Sequence, residues 1–278
     1  MNRTLYLFCY FVIIFVVINM DRKFFFFDID GTLTDIKTFE VVKSSVDAIR
    51  QLEKKGHVCA LASGRAHFRA KQFAQENGFK NMICEGGNCI VIDDVMVVDD
   101  GLDQDLVSSI VKQAYGLGLS VAASFDDSDR RYTRDEEFLK RVGNTQPFMT
   151  VEIDELFDEH LKTLNVRRLF VEKDPEKIAQ IPEVNLLGQY PMTTYDFTIF
   201  ECDDKYRGIQ RMVKMLGGDE KDVVVFGDGI NDCKMMKEAA FGIAMGNACD
   251  QLKEIADYVT ADSTDDGIVK ALKHFGWL

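Results

Sequence analysis

No CxxC pair occurs among the seven cysteines (Cys9, Cys59, Cys84, Cys89, Cys202, Cys233, Cys249), and the four histidines (His57, His67, His160, His274) lack the spacing of metal ligands. That argues against a structural zinc site. Odd in number and dispersed, the thiols read as small buried hydrophobes in a reducing compartment. Positive charge is also scarce: 33 Lys and Arg against 46 Asp and Glu leave a net charge of −13. Neither a nucleic acid nor an anionic membrane surface suits such a chain as main partner, because both reward clustered Lys and Arg. An anionic small molecule could still bind where a metal and a few placed cations supply local positive charge. Internal repeats and low-complexity tracts are absent. What remains, 46% apolar and 28% charged residues over 278 positions, is ordinary for a soluble globular protein of one large or two modest domains.

The chain also lacks a clear membrane span. Residues 5–18 are nearly all apolar and follow Arg3, like a signal-peptide core or short anchor. The run is short of the roughly 20 residues that cross a bilayer, and no small-residue cleavage site precedes Asp21. Met20 is followed by Asp21-Arg22-Lys23 and at once by a strand, as at the start of a cytosolic protein. The expectation is an apolar extension over 1–20, from a misassigned start codon upstream of Met20, on a cytoplasmic protein, with anchoring through 5–18 as the alternative.

The most telling segment present is Phe24-Phe25-Phe26-Phe27-Asp28-Ile29-Asp30-Gly31-Thr32. A short, wholly apolar run ended by a turn signal fits a strand covered on both faces. Open α/β sheets bind ligands just beyond the carboxyl ends of such strands. Period-two geometry starts the Asp28 and Asp30 side chains on one side of the chain. Two carboxylates crowded at the edge of a core call for a cation, and oxygen-only ligation with few residues suits Mg²⁺.

Apolar spacing predicts a helix over 41–55, a strand over 57–62 and a helix over 66–76. This β-α-β-α order implies a parallel sheet. From 82 to 201 the units shorten: a hairpin over 89–92 and 95–98, a helix over 102–116, a strand over 119–124 and a charged connection over 126–134. Further strands are expected at 169–171, 184–188 and 197–200, and a short helix at 175–181. The sheet then resumes with a helix over 205–216, a strand over 223–226, a helix over 233–240, strands at 241–244 and 257–259, and a helix over 266–275.

Four polar groups fall where an apolar strand ends or the next helix begins. They are Asp28 with Asp30; Ser63-Gly64, a hydroxyl and backbone amides suited to phosphate; Lys205, a point charge; and Gly227-Asp228-Gly229-Ile230-Asn231-Asp232. Each alone is an ordinary turn former, cap or solvated charge. In this order, Asp28-Ile29-Asp30-Gly31-Thr32, Ser63-Gly64-Arg65, Lys205 and the 227–232 turn resemble the four motifs of the haloacid dehalogenase superfamily, specifically its Cof-type (subfamily IIB) phosphatases. The resemblance covers Asp21 to Leu278, and the 63–205 interval leaves room for the family's large inserted cap. Cys84-Glu85-Gly86-Gly87-Asn88 departs from it, since family members more often carry an Asn-Gly pair there.

The resemblance implies an α/β protein: a doubly wound, parallel-sheet Rossmann-like core over 21–83 and 202–278, with an α/β cap inserted over 84–201. It implies Asp28 as nucleophile and Asp30 as general acid and base. Mg²⁺ is held by Asp28, the Asp30 carbonyl and Asp228. Phosphoryl oxygens are taken by Ser63, the Ile29 and Gly64 amides, Lys205 and Asn231, with Asp232 orienting Lys205 or a metal-bound water from outside the ligand set. The expected activity is hydrolysis of a small phosphate monoester (sugar phosphate, nucleotide, flavin or pyridoxal phosphate). The alternatives are a phosphomutase or phosphotransferase, or a non-catalytic phosphometabolite-binding protein.

Overall fold

The structure is a computed structural model that describes residues 22–278. The apolar extension read at 1–20 lies outside the described residues. Among the described residues no helix is long and apolar enough to cross a membrane. In chain order the strands are β1 (Phe24–Phe27), β2 (Val58–Ala62), β3 (Met82–Cys84), β4 (Cys89–Ile92), β5 (Val95–Asp99), β6 (Val121–Ser124) and β7 (Arg130–Thr133). They continue as β8 (Thr150–Ile153), β9 (Arg168–Glu172), β10 (Gly188–Pro191), β11 (Phe197–Glu201), β12 (Val223–Gly227), β13 (Phe241–Ala244) and β14 (Tyr258–Val259). The described residues divide into two compact units, one formed by 22–61 together with Ile209–Leu278, the other by Ala62–Gly208.

In the first unit the strands run β14-β13-β12-β1-β2, and every pairing is parallel. The Phe run behaves as its composition requires: Phe24 is 2% exposed and Phe25, Phe26 and Phe27 are fully buried. A strand buried on both faces has no polar face to display, which is why four consecutive aromatics can form it. The register pairs Phe27 with Phe226. Positions 28 and 228, some 200 residues apart in sequence, therefore leave neighbouring strands at the same edge. The helices Lys43–Lys54 and Gly267–His274 are amphipathic, the first burying Val46, Ala48, Ile49 and Leu52 and the second Ile268, Ala271 and Leu272.

The second unit holds an antiparallel meander, β3-β4-β5, and a six-stranded sheet ordered β10-β11-β9-β6-β7-β8. That sheet is antiparallel except where β7 meets β8. Alternation along β6, β9 and β11 splits its side chains between two cores. Val121, Ala123, Leu169, Val171 and Phe200 pack with the helices Gln104–Gly116 and Phe157–Thr163. Ala122, Phe170 and Phe197 pack with Phe138, Val142 and Met149.

Two sequence expectations here are corrected. The charged connection at 126–134 contains β7, whose exposed Arg130 and half-buried Tyr132 alternate with buried Arg131 and Thr133. Two inward residues that are Arg and Thr rather than aliphatic concealed the period. The strand expected at 184–188 is a 3₁₀ turn, Pro182–Leu186, and the strand β10 begins at Gly188. Pro182 has no N–H to give a ladder and suits the first turn of a helix.

Candidate active site

After Phe27 the chain stops being extended. The Ile29 carbonyl accepts hydrogen bonds from the amides of Thr32 (3.4 Å), Leu33 (3.0 Å) and Thr34 (3.1 Å), and from Thr34 Oγ1 at 3.1 Å. The turn separates the surroundings of the two acids that period-two geometry would have kept alike: Asp28 is 5% exposed, whereas Asp30 is exposed. Gly31 holds φ +85° within the turn, and a Cβ there would lie 2.1 Å from Asp228 Oδ2. Only glycine permits both that conformation and that approach.

Three carboxylates converge in this unit. Asp28, Asp228 and Asp232 each offer an oxygen, all within 4.8 Å of one another, and all three residues are buried. Thr32 Oγ1 donates to Asp228 Oδ1 at 2.8 Å. Asp232 Oδ2 accepts from the amides of Asp228 and Gly229, both at 3.0 Å, which ties the 227–232 turn into shape. Asn231 occupies the 3₁₀ turn Ile230–Asp232. Buried like charges at such range raise one another's energy, so these three residues could hold a cation, and an all-oxygen donor set fits a hard one.

A support that sequence reasoning missed lies at Asn247. Its Nδ2 donates to the Gly31 carbonyl at 2.8 Å and its Oδ1 accepts from the Ser263 amide at 2.8 Å. On either side, the Met245 and Cys249 amides donate to the carbonyls of Gly227 and Asp228, both at 3.0 Å. The signal was present as Gly246-Asn247 one residue beyond the strand β13, the same strand-then-turn pattern as the other motifs. Asn247→Ala is expected to destabilise the protein by about 1–3 kcal/mol, the range for orphaning buried hydrogen-bond partners. Urea unfolding with an unchanged midpoint would remove Asn247 from this role.

The remaining expected residues belong to the second unit. Ser63 is 2% exposed; its amide donates to the Ile83 carbonyl at 2.9 Å and its Oγ accepts from the Arg65 amide at 3.1 Å. The Gly64 carbonyl accepts from Arg168 Nη2 at 2.5 Å. Arg65 stacks over the Phe73 ring, 5.3 Å from its centroid. Lys205 opens the helix Lys205–Met215 and is 2% exposed, a rare state for a lysine.

Within this unit the segments 85–88 and 202–204 touch. Gly86 takes φ +61°, and a Cβ there would lie 1.8 Å from the Cys202 carbonyl oxygen; the Gly86 carbonyl accepts from the Asp204 amide at 2.8 Å. Beside them lies a buried charge cluster that sequence reasoning also missed. Glu85 pairs with Arg168 at 3.0 Å and Arg167 at 3.7 Å, Arg168 also pairs with Glu201, and Arg167 pairs with Asp99 at 2.6 Å. Burial opposes the charge on Arg168, but Glu201 and Glu85 lift its pKa above the ordinary value. Burial likewise raises Glu201, and Arg168 works against that rise.

Fold and acidic cluster together define an α/β protein with a buried carboxylate site at the ends of parallel strands, and comparison with known proteins identifies its class. The model of the haloacid dehalogenase-like hydrolases matches residues 25–272. YkrA of Bacillus subtilis (strain 168) is 30% identical over 260 residues, covering 93% of this chain and 100% of that protein. The 5-amino-6-(5-phospho-D-ribitylamino)uracil phosphatase YcsE of the same organism is 27% identical over 263 residues, covering 92% of this chain and 97% of that one. Among solved structures, the subclass IIB sugar phosphatase BT4131 superposes with a TM-score of 0.72 at 25% identity, covering 92% of this chain and 100% of that one. The chain belongs to the haloacid dehalogenase-like hydrolase family, among its Cof-type phosphatases, and is by class a phosphoric monoester hydrolase.

Proposed function

We propose that the protein is a Mg²⁺-dependent phosphatase of small organic phosphate monoesters that works through a phosphorylated Asp28. The observation that carries this reading is the buried trio Asp28, Asp228 and Asp232 with oxygens within 4.8 Å of one another. Asp28, Asp228 and the Asp30 carbonyl would hold the cation, whose contribution when bound is to neutralise charge on the phosphoryl group.

The chain's own groups then divide the work. Asp28 attacks phosphorus; the ester P–O bond breaks, and Asp30, as general acid, protonates the departing alkoxide. In the second half-reaction Asp30 takes a proton from water as that water attacks the aspartyl-phosphate, which releases inorganic phosphate and restores Asp28. Ser63, the Ile29 and Gly64 amides, Lys205 and Asn231 bind the phosphoryl oxygens. The hydrogen bonds from the Asp228 and Gly229 amides to Asp232 support a role for Asp232 as brace of the acidic turn. Residues 84–201 form the inserted cap that selects substrates by size, and 21–83 with 202–278 form the core.

Hydrolysis of p-nitrophenyl phosphate with Mg²⁺, and again with EDTA, tests the reading. Release should fall to background with EDTA and return when Mg²⁺ is restored. Undiminished release with EDTA would remove the cation from the mechanism, and no release from folded, Mg²⁺-supplied protein on this ester or a panel of phosphate metabolites would remove the phosphatase reading.

A further inference from the structure

Arg131 is a buried guanidinium that the reaction above does not use. It is 4% exposed, lies over the Phe170 ring at 4.9 Å from the centroid, and spends Nη1 on two backbone carbonyls, Ser128 (2.9 Å) and Arg130 (2.5 Å). Its Nε has no hydrogen-bond partner, and no carboxylate among the described residues pairs with it. The acids near it are committed elsewhere: Asp126 accepts from Ser128 Oγ and Tyr132 Oη, and Glu85 pairs with Arg167 and Arg168. Burial and the nearby Arg168 pull the Arg131 pKa down to about 10, with Arg69 adding to the repulsion. Arg69 also lacks an ion pair among the described residues; its Nη2 donates to the Phe148 carbonyl at 2.9 Å.

The strand registers explain how these cations meet. Ser124 pairs with Arg168, and continuing the β6–β7 register by one residue from Ala123↔Tyr132 sets Ser124 beside Arg131. Arg131, Ser124 and Arg168 thus form one row on one face of the six-stranded sheet, about 10 Å across two strand spacings. At its end Arg168 touches the Gly64 carbonyl, part of the segment assigned above to the phosphate. All of these residues lie in the second unit.

Arg168 in this row is paired with Glu85 and Glu201, so the unmet demand is that of Arg131: a buried N–H without an acceptor, on a guanidinium without an ion pair, costs stability unless a ligand completes it. We propose that Ser124, Arg131 and Arg168, with Arg69, seat a second anionic group of the substrate, which is therefore a small phosphate monoester that also carries a carboxylate or a second phosphate. This rests on the phosphatase reading above. Guanidinium groups suit both anions, through paired N–H donors.

The test compares wild type with Arg131→Met and Arg131→Lys. The substrates are phosphoglycolate (a carboxylate tail), fructose 1,6-bisphosphate (a second phosphate) and ethyl phosphate (a neutral tail); calorimetric titration with phosphoglycolate and the bisphosphate runs in parallel. Wild type should prefer at least one doubly anionic ester, and which one identifies the anion. Arg131→Met should reduce kcat/KM for that ester relative to ethyl phosphate by about 10- to 100-fold, as expected for a charge-assisted hydrogen bond, and Arg131→Lys should recover part of the loss. Equal losses on all three esters, or no change in the ratio, would overturn the proposal and leave Arg131 a packing residue on Phe170. Were wild type to hydrolyse nothing, Arg131-dependent binding of either doubly anionic ester would sustain the seat while the phosphatase reading falls; no such binding would sink both.

Discussion

Asp28→Asn should abolish phosphate release, by about four orders of magnitude or more, the scale of removing a catalytic nucleophile. An amide oxygen does not displace an alkoxide from phosphorus at a useful rate, so covalent capture fails even with the substrate bound. The fold should survive, because Asn fills the space that Asp28 fills at 5% exposure and the backbone bond from the Asp28 amide to the Phe226 carbonyl, 3.0 Å, is untouched. The substitution also removes one negative charge from three crowded carboxylates, so without metal the variant should melt at or above the wild-type temperature. Steady-state kinetics paired with thermal melts check both halves. Metal-dependent turnover above about one part in a hundred of wild type would take the nucleophile role from Asp28.

Gly31→Ala should damage both stability and activity, although it adds a single methyl group. At φ +85° an L side chain is strained, and the added Cβ would sit 2.1 Å from Asp228 Oδ2 and 2.7 Å from Asp228 Cγ. Neither neighbour can yield cheaply. Thr32 holds the Asp228 carboxylate at 2.8 Å; on the other side, Asn247 holds the Gly31 carbonyl at 2.8 Å and Thr34 Oγ1 accepts from the Gly31 amide at 3.2 Å. Relief therefore pulls Asp228 away from Asp28 or breaks the turn. The expected cost is about 2–4 kcal/mol in urea unfolding, from backbone strain and overpacking together, with a marked rise in the Mg²⁺ concentration needed for half-maximal rate. Wild-type unfolding and wild-type Mg²⁺ dependence would show that the loop tolerates a side chain.

The strands that deliver the acids were legible because the information is local. Phe24–Phe27 and Val223–Gly227 are apolar runs closed by carboxylate turns, and burial on both faces leaves a continuous hydrophobic signature. Less legible were the short strands of the second unit, where β7 turns Arg131 and Thr133 inward and β8 is only partly buried. Their state is set by partners rather than by composition, since the fit of side chains in a sheet depends on cross-strand neighbours. The helices Glu137–Val142 and Phe157–Thr163, also unread, are too short for a helical period to stand out.

By itself the sequence determined which residue types stand at the ends of the central strands and in what order, and with them the α/β class, because strand and turn propensities act over a few residues. Only the tertiary structure decided which of those residues share surroundings. The parallel register Phe27↔Phe226 brings Asp228 and Asp232 to Asp28, a turn at Ile29 gives Asp30 a different exposure, and Asn247 reaches Gly31 across 216 residues. The row Arg131, Ser124, Arg168 likewise exists only once β7, β6 and β9 are paired. Register and close approach are properties of strands far apart in the chain, and no window of sequence contains both partners.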